Sequence, residues 1–183
     1  MQTPTVPQCL RRPVEFLSSL TERASVDQLR ALLAETPLTL AAVRDWVEFD
    51  DQEYRRNLVV RGTWFEILLL CWRSGQRSPI HDHAASTCGF KVLQGICSET
   101  TFARSRCGLV VARSTVELPA SSIGASQDDD THQVSNLEPR GTDLVTMHIY
   151  SPPLRMMKRF SITDHRVEEW RPPVFDFMGG DGI

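Results

Sequence analysis

The spacing of apolar residues divides the chain into a helical beginning and a longer part rich in short strands. Near the N-terminus, Leu29, Leu32 and Leu33 recur at the spacing of one face of an α-helix. Ser25 and Gln28 precede them with the spacing of a capping box, which predicts where this helix begins. A second stripe predicts a further helix that carries Leu40, Val43, Trp46 and Val47. Both stripes are typical of core packing.

From Asn57 onward the pattern changes to short apolar runs separated by turn residues. Strands are predicted over residues 58–60, 64–72, 87–93, 96–103, 109–112, 144–150 and 156–162. The turns between them contain Gly62, Gly75, Gly95, Gly108 and Gly141. Many short strands with glycine and proline turns favour a β-barrel or jelly roll. We therefore predict one mainly β domain over residues 1–183, with helices in 1–50 and the barrel in 51–183.

Composition narrows the class of protein without identifying a chemistry. The 183 residues are 41% hydrophobic and 23% charged with a net charge of -3, so nothing indicates nucleic acid or an anionic membrane as a partner. No signal pattern begins the sequence, and the longest apolar run, 67–72, is too short to span a bilayer. Five irregularly spaced cysteines with no CxxC pair argue against a structural zinc site. These features predict a cytoplasmic protein with reduced thiols.

Three histidines are the strongest candidates for chemistry. His81 and His83 are two residues apart, so on a strand both imidazoles would point to one face. His132, about fifty residues later, is the best candidate for a third metal ligand. A single histidine is more often a packed or exposed residue than a ligand, and an HxH pair alone is weak support. The acidic run 128–130, just before His132, is most simply a solvated turn that could also shape the approach to that histidine.

The surroundings of these histidines resemble the motifs of the cupin superfamily. Gly75, His81, His83 and Gly95 have the spacing of the first cupin motif, with Cys88 where that motif normally has glutamate. His132 is followed by Asn136, as at the end of the second motif, although the earlier Pro-x-Gly element of that motif is not clear. The resemblance implies a metal-binding cupin barrel.

A closer resemblance is to the cysteine dioxygenase family. The matching segments, in the family's order, are residues 54–59, 78–83, 86–88, 91–95 and 148–153. The family has a small cupin barrel and oxidises L-cysteine with O2 to cysteine sulfinic acid at a mononuclear Fe²⁺. The resemblance implies that His81, His83 and His132 are the iron ligands, and that the protein acts as a monomer on L-cysteine and O2.

The resemblance also implies which residues bind the substrate. Strand alternation allows only one of Arg55 and Arg56 to point inward, and the surrounding Tyr-x-Arg-Asn-Leu-Val segment matches Arg56 to the arginine that binds the substrate carboxylate. Tyr54 would lie on the same face and support that carboxylate site. His148 is implied to hydrogen-bond near the substrate rather than bind iron, although spacing alone leaves a site of four histidines open.

Cys88 and Tyr150 form a second distinctive pair. In animal members of the family these two residues become joined by a thioether bond, whereas many bacterial members have glycine in place of the cysteine. Cys88 could equally be a small buried apolar residue. Tyr150 would place its hydroxyl near the substrate as a proton donor or hydrogen-bond partner. Met157 stands where animal members have a pocket cysteine, which leaves the detailed shape of the substrate site open.

Two other functions compete with L-cysteine oxidation. One is the dioxygenation of another small thiol, 3-mercaptopropionate or cysteamine. In the related 3-mercaptopropionate enzymes a glutamine stands at the Arg56 position and the Cys88 counterpart is lacking, so this sequence argues against that activity. The other is a non-catalytic metal-binding cupin, which would need the three histidines but would leave Arg56 and Tyr150 without a purpose.

Overall fold

The computed structural model describes residues 5–106, 109–128 and 130–176 and is mainly β. Cys107, Gly108 and Asp129, which belong to the predicted turns and to the cysteine set, lie outside the described residues. Two six-stranded sheets face each other, and short helices precede them in the chain. The prediction of a mainly β cupin barrel with N-terminal helices is therefore confirmed. None of the described helices has the length and apolar character needed to cross a membrane.

Within the described residues, four short helical segments precede the strands. They are a 3₁₀ turn at Gln8–Leu10, α1 at Arg11–Ser18, α2 at Val26–Glu35 and a 3₁₀ helix at Leu40–Trp46. The predicted capping box begins α2: the backbone N–H of Gln28 donates to Ser25 Oγ, and the backbone N–H of Ser25 donates to Gln28 Oε1. The second predicted helix is present as the tighter 3₁₀ form, with Val43 and Trp46 buried.

Twelve strands are described. They are β1 Arg55–Arg61, β2 Glu66–Trp72, β3 Ile80–His81, β4 Thr87–Gln94, β5 Ile96–Arg104, β6 Val110–Pro119, β7 Ile123–Ser126, β8 His132–Ser135, β9 Leu144–Ser151, β10 Met157–Phe160, β11 Val167–Trp170 and β12 Phe175–Asp176. One sheet has the order β12-β1-β2-β9-β4-β7, and the other has the order β11-β10-β3-β8-β5-β6. Each strand predicted from the sequence overlaps one of these, whereas β3, β7, β8, β11 and β12 were not predicted.

Strand β2 shows what packs on each face of the first sheet. All seven of its residues are buried. Ile67 and Leu69 pack on the outer face together with the helices, while Leu68, Leu70 and Trp72 point into the barrel with residues of both sheets. A strand that is covered on both faces is apolar at consecutive positions, and this pattern made β2 predictable from the sequence. The helices therefore close the outer face and leave the barrel interior for the polar site.

The HxH pair was interpreted on the premise that it lies on a strand, and this premise holds for His81 but not for His83. Strand β3 consists of Ile80 and His81 only, and His83 follows after the strand has ended. A turn begins at His83, whose carbonyl accepts a hydrogen bond from the backbone N–H of Ser86, and Ala84 within it has a positive φ of 50°. The two histidine side chains still lie close together, because the chain turns at His83.

Candidate metal centre

Three histidine side chains meet inside the barrel. The pairing of β3 with β8 places His81 directly opposite His132, and His83 joins them from the turn after β3. The centroids of the three rings lie 4.7–5.2 Å apart. One nitrogen from each ring can be chosen so that all three atoms lie within 4.8 Å of one another, and all three residues are buried. The arrangement is a three-histidine metal-binding site.

Each of the three rings has a hydrogen-bond partner at Nδ1. His81 Nδ1 lies 2.9 Å from the carbonyl oxygen of Pro79, His132 Nδ1 lies 2.7 Å from Glu99 Oε1, and His83 Nδ1 contacts Asp130 Oδ2. An acceptor at Nδ1 favours the tautomer that carries its proton there, which leaves the lone pair on Nε2. The outer hydrogen bonds therefore prepare the inner nitrogens to bind a metal.

Asp130 corrects the prediction for the acidic run. The run was interpreted most simply as a solvated turn, with a role in shaping the approach to His132 as the alternative, but the Asp130 side chain is only 7% exposed and is held by His83 and Ser126. Burial works against the charged carboxylate, yet the hydrogen bonds from His83 and Ser126 hold the pKa of Asp130 below its usual value. Asp128, by contrast, stays on the surface and pairs with Arg23. The sequence contained no signal that would separate the two.

The chemistry of the donor set fits a divalent transition metal. Burial, reinforced by the neighbouring histidines, lowers the pKa of His81 well below its usual value and also lowers that of His83, so both rings are neutral near pH 7. Neutral imidazole is the form that binds metals. Nε2 of His132 is buried and has no hydrogen-bond partner among the described residues. A buried polar atom without a partner is costly, and a bound metal would remove that cost.

Arg56 lies inside the same barrel. It is 2% exposed, and its Nε and Nη2 atoms have no hydrogen-bond partner among the described residues. Burial opposes its charge, but the nearby Tyr150, Tyr54 and Glu66 raise the pKa of Arg56 above its usual value, so it remains a cation. Arg55 points the other way, where its guanidinium pairs with Glu48. The structure thus places Arg56, and not Arg55, in the interior.

Two tyrosines lie near this guanidinium. It lies 5.4 Å from the centroid of the Tyr150 ring, and the Tyr54 ring stacks on Trp72 at 4.1 Å. Tyr54 and Tyr150 are both buried, and burial raises the pKa of each phenol, so both hydroxyls stay protonated. The cation therefore lies near two neutral phenol groups, while Nε and Nη2 of Arg56 remain without a partner among the described residues.

Cys88 and Tyr150 are brought together by the pairing of β4 with β9. They are directly opposite each other in the register, and both are 1% exposed. The Tyr150 hydroxyl lies 3.2 Å from His148 Nδ1, and the Cys88 Sγ lies 3.9 Å from the same atom. Burial raises the pKa of the Cys88 thiol well above its usual value.

His148 is held at both ring nitrogens. In addition to the Tyr150 contact, its Nε2 lies 3.0 Å from Thr146 Oγ1, which also accepts a hydrogen bond from Trp72 Nε1. Burial lowers the pKa of His148 well below its usual value, so the ring is neutral. Because both nitrogens are engaged with hydroxyl groups, His148 stands apart from the group of three metal-binding histidines.

An open cleft with a volume of about 490 Å³ lies beside His132. Glu99 and Asp130, which contact His132 and His83, line it together with the exposed Arg30 and Arg113. The cleft thus opens beside the carboxylates that contact two of the three histidines. The sequence had indicated neither Glu99 nor the bordering arginines, because nothing in their local pattern marks them.

Comparison with known proteins assigns the chain to a family. Residues 5–163 match the family model described as cysteine dioxygenase type I. The chain is 32% identical over 166 residues to cysteine dioxygenase type 1 of Bos taurus, covering 88% of this chain and 81% of that protein. It is also 32% identical over 136 residues to the enzyme of the same name from Homo sapiens, covering 72% and 68%.

Among solved structures, an RmlC-like cupin protein from Desulfovibrio desulfuricans aligns with a TM-score of 0.44 and 23% identity, over 58% of this chain and 90% of that one. This distant likeness adds nothing to the assignment by sequence. The match to the family model covers most of the chain, and the bovine relative is aligned over most of its length. The chain belongs to the cysteine dioxygenase type I family.

Proposed function

We propose that the protein is an iron-dependent thiol dioxygenase that oxidises L-cysteine with O2 to cysteine sulfinic acid. The observation that carries this proposal is the buried guanidinium of Arg56, two of whose nitrogens have no hydrogen-bond partner among the described residues, in the same barrel interior as the three histidines. A buried cation with two unpaired nitrogens is costly to maintain, and a non-catalytic cupin would have no use for one. A substrate with one anionic end for the arginine and a sulfur for the metal would use both.

Arg56 is the group that we expect to bind the substrate carboxylate. A guanidinium matches a carboxylate with two parallel N–H···O bonds, and Nε and Nη2 of Arg56 are the two donors left free. The hydroxyls of Tyr54 and Tyr150 lie close enough to this arginine to influence its pKa, and both remain donors near pH 7. Together they can orient the carboxylate and set the direction of the substrate in the pocket.

His81, His83 and His132 would hold Fe²⁺ through their Nε2 atoms. Imidazole suits iron, and a site of three neutral ligands leaves the full charge of the dication to attract an anionic thiolate. The iron would supply the redox chemistry by which both atoms of O2 are added to the substrate sulfur. The protein's own part is to hold the three nitrogens close together in a buried site.

Tyr150 is the group that we expect to manage protons next to the sulfur. Its hydroxyl is hydrogen-bonded to His148, which is fixed in turn by Thr146. Because burial raises the pKa of Tyr150 well above its usual value, the phenol is a hydrogen-bond donor and not a phenolate. The Trp72 indole N–H donates to Thr146 and so fixes the far end of this series of hydrogen bonds.

Substrate choice can be tested with three thiols of similar size. L-Cysteine has a carboxylate and an amine, 3-mercaptopropionate lacks the amine, and cysteamine lacks the carboxylate. Since cysteamine would leave Nε and Nη2 of the buried Arg56 without a partner, we expect kcat/KM to be highest for L-cysteine and lowest for cysteamine. The measurement is thiol-dependent O2 uptake by the iron-loaded protein. Equal rates with cysteamine and L-cysteine would contradict the assignment of Arg56, and no uptake with any thiol would favour the non-catalytic cupin.

A thioether bond between Cys88 and Tyr150 is the second testable part of the proposal. Their direct opposition across β4 and β9 supports it. Its formation removes the thiol hydrogen and one hydrogen of the phenol ring, a two-electron oxidation in which the electrons and protons pass to O2. We expect the protein to migrate as a doublet on a denaturing gel after turnover, and Cys88→Ala to give a single band with less activity and unchanged iron content. Cys97→Ala is the matched control, because Cys97 is also buried but has no cross-strand tyrosine. A doublet that persists in Cys88→Ala would contradict the cross-link.

A further inference from the structure

Asp130 contacts one metal-binding histidine in two ways. Its Oδ2 accepts from His83 Nδ1, and its Oδ1 lies 3.4 Å from the backbone N–H of the same residue. Ser126 Oγ donates to Oδ2 at 2.9 Å and holds the carboxylate from the other side. Both the ring and the main chain of His83 are therefore fixed by one side chain, which is itself nearly buried.

The position of Asp130 in the chain joins two parts of the metal centre. It lies two residues before His132, which begins β8, while His83 belongs to the turn that follows β3. The contact thus links the segments that carry the second and third histidines. The third histidine has its own carboxylate, because Glu99 on β5 lies two residues from Thr101, the direct partner of His132 in the register.

The three histidines consequently have unequal outer partners. His83 and His132 each face a carboxylate, whereas His81 faces the neutral carbonyl of Pro79. A carboxylate at Nδ1 fixes the ring orientation and makes Nε2 a stronger donor than a carbonyl does. The three ligands themselves carry no negative charge. Two of them, His83 and His132, are instead hydrogen-bonded to a carboxylate at Nδ1.

We propose that Asp130 is a positioning residue that holds His83 in the metal-binding orientation and increases its electron donation, with Glu99 doing the same for His132. This inference rests on the proposed function only in so far as both need a metal at the three histidines. It explains why a buried carboxylate is placed against Nδ1 of a histidine that belongs to the group of three.

Two substitutions separate the charge of Asp130 from its shape. Asp130→Asn keeps an oxygen that can accept from His83 Nδ1 but removes the charge, whereas Asp130→Ala removes both. We expect Asp130→Ala to weaken the binding of Co²⁺, measured by competition with a chelator, about 10- to 100-fold. We expect Asp130→Asn to weaken it less, and to raise the midpoint potential of the bound iron, because the reduced ion needs less negative charge nearby. Asp128→Asn is the control, since Asp128 is exposed and pairs with Arg23.

The readouts distinguish this role from a purely structural one. Loss of stability alone would leave the visible spectrum of the bound Co²⁺ and the midpoint potential of the iron unchanged in the folded fraction. If Asp130→Ala does not fold, the isosteric Asp130→Asn decides the question. Wild-type metal affinity and wild-type midpoint potential in Asp130→Asn would overturn the proposal. Since these measurements contain no thiol, they stand whether or not the protein oxidises L-cysteine.

Discussion

Arg56→Gln is expected to raise the KM for L-cysteine about 10- to 150-fold, because a charge-assisted pair contributes roughly 1.5–3 kcal/mol. The physical reason is that the guanidinium is almost fully buried and two of its nitrogens have no partner among the described residues. Glutamine is shorter, is neutral and cannot form the bidentate contact with a carboxylate. Steady-state O2 uptake over a range of L-cysteine concentrations measures the effect.

The neighbouring arginine provides a matched control. Arg55→Gln changes the same side chain one residue earlier, but Arg55 points outward, pairs with Glu48 and lies 4.0 Å over the ring of Phe175. Its KM should stay at the wild-type value. Thermal unfolding of the metal-free Arg56→Gln protein provides a second check. A binding arginine that is unpaired before substrate arrives can be removed with little loss of stability, whereas a structural one cannot. An unchanged KM in Arg56→Gln would contradict the carboxylate site.

His132→Ala is expected to abolish turnover and to reduce iron binding by more than the 10- to 100-fold that is typical of losing an outer partner of a ligand. His132 comes from a strand that is distant in sequence but adjacent in the sheet, and its Nε2 has no partner among the described residues. Two remaining histidines would leave the metal weakly held and exposed to exchange. Iron content after anaerobic reconstitution and desalting measures the loss.

The fourth buried histidine is the matched comparison for His132. His148→Gln should retain iron at the wild-type level while turnover falls, since both nitrogens of His148 already bind hydroxyl groups. The pair of variants tests whether three or four histidines bind the metal, a choice that spacing alone left open. Full iron content in His132→Ala, or loss of iron in His148→Gln, would contradict the assignment.

The sequence predicted those parts of the fold that have strong local patterns. Strand β2 is a continuous apolar run because both of its faces are covered, and α2 begins with a complete capping box. Strands β3 and β8 were missed because they are only two and four residues long and each contains one of the three histidines. A short strand that carries polar ligands has neither the length nor the alternation on which a prediction depends.

The residues of the candidate site that belong to recognisable motifs could be predicted from the sequence. The residues that contact them from distant parts of the chain could not. The positions of the three histidines and of Arg56 follow from segments that resemble a known family. Asp130 and Glu99 reach their histidines across 47 and 33 residues of sequence. Nothing near Asp130 distinguishes it from the exposed Asp128, because the difference lies in which residue each side chain meets after folding.

The most direct test of the central claim is a product analysis with L-cysteine and isotopically labelled O2, using protein reconstituted anaerobically with Fe²⁺. The account predicts cysteine sulfinic acid with both added oxygen atoms from O2, and one O2 consumed for each thiol. No thiol-dependent O2 consumption in protein with a full iron complement would contradict it.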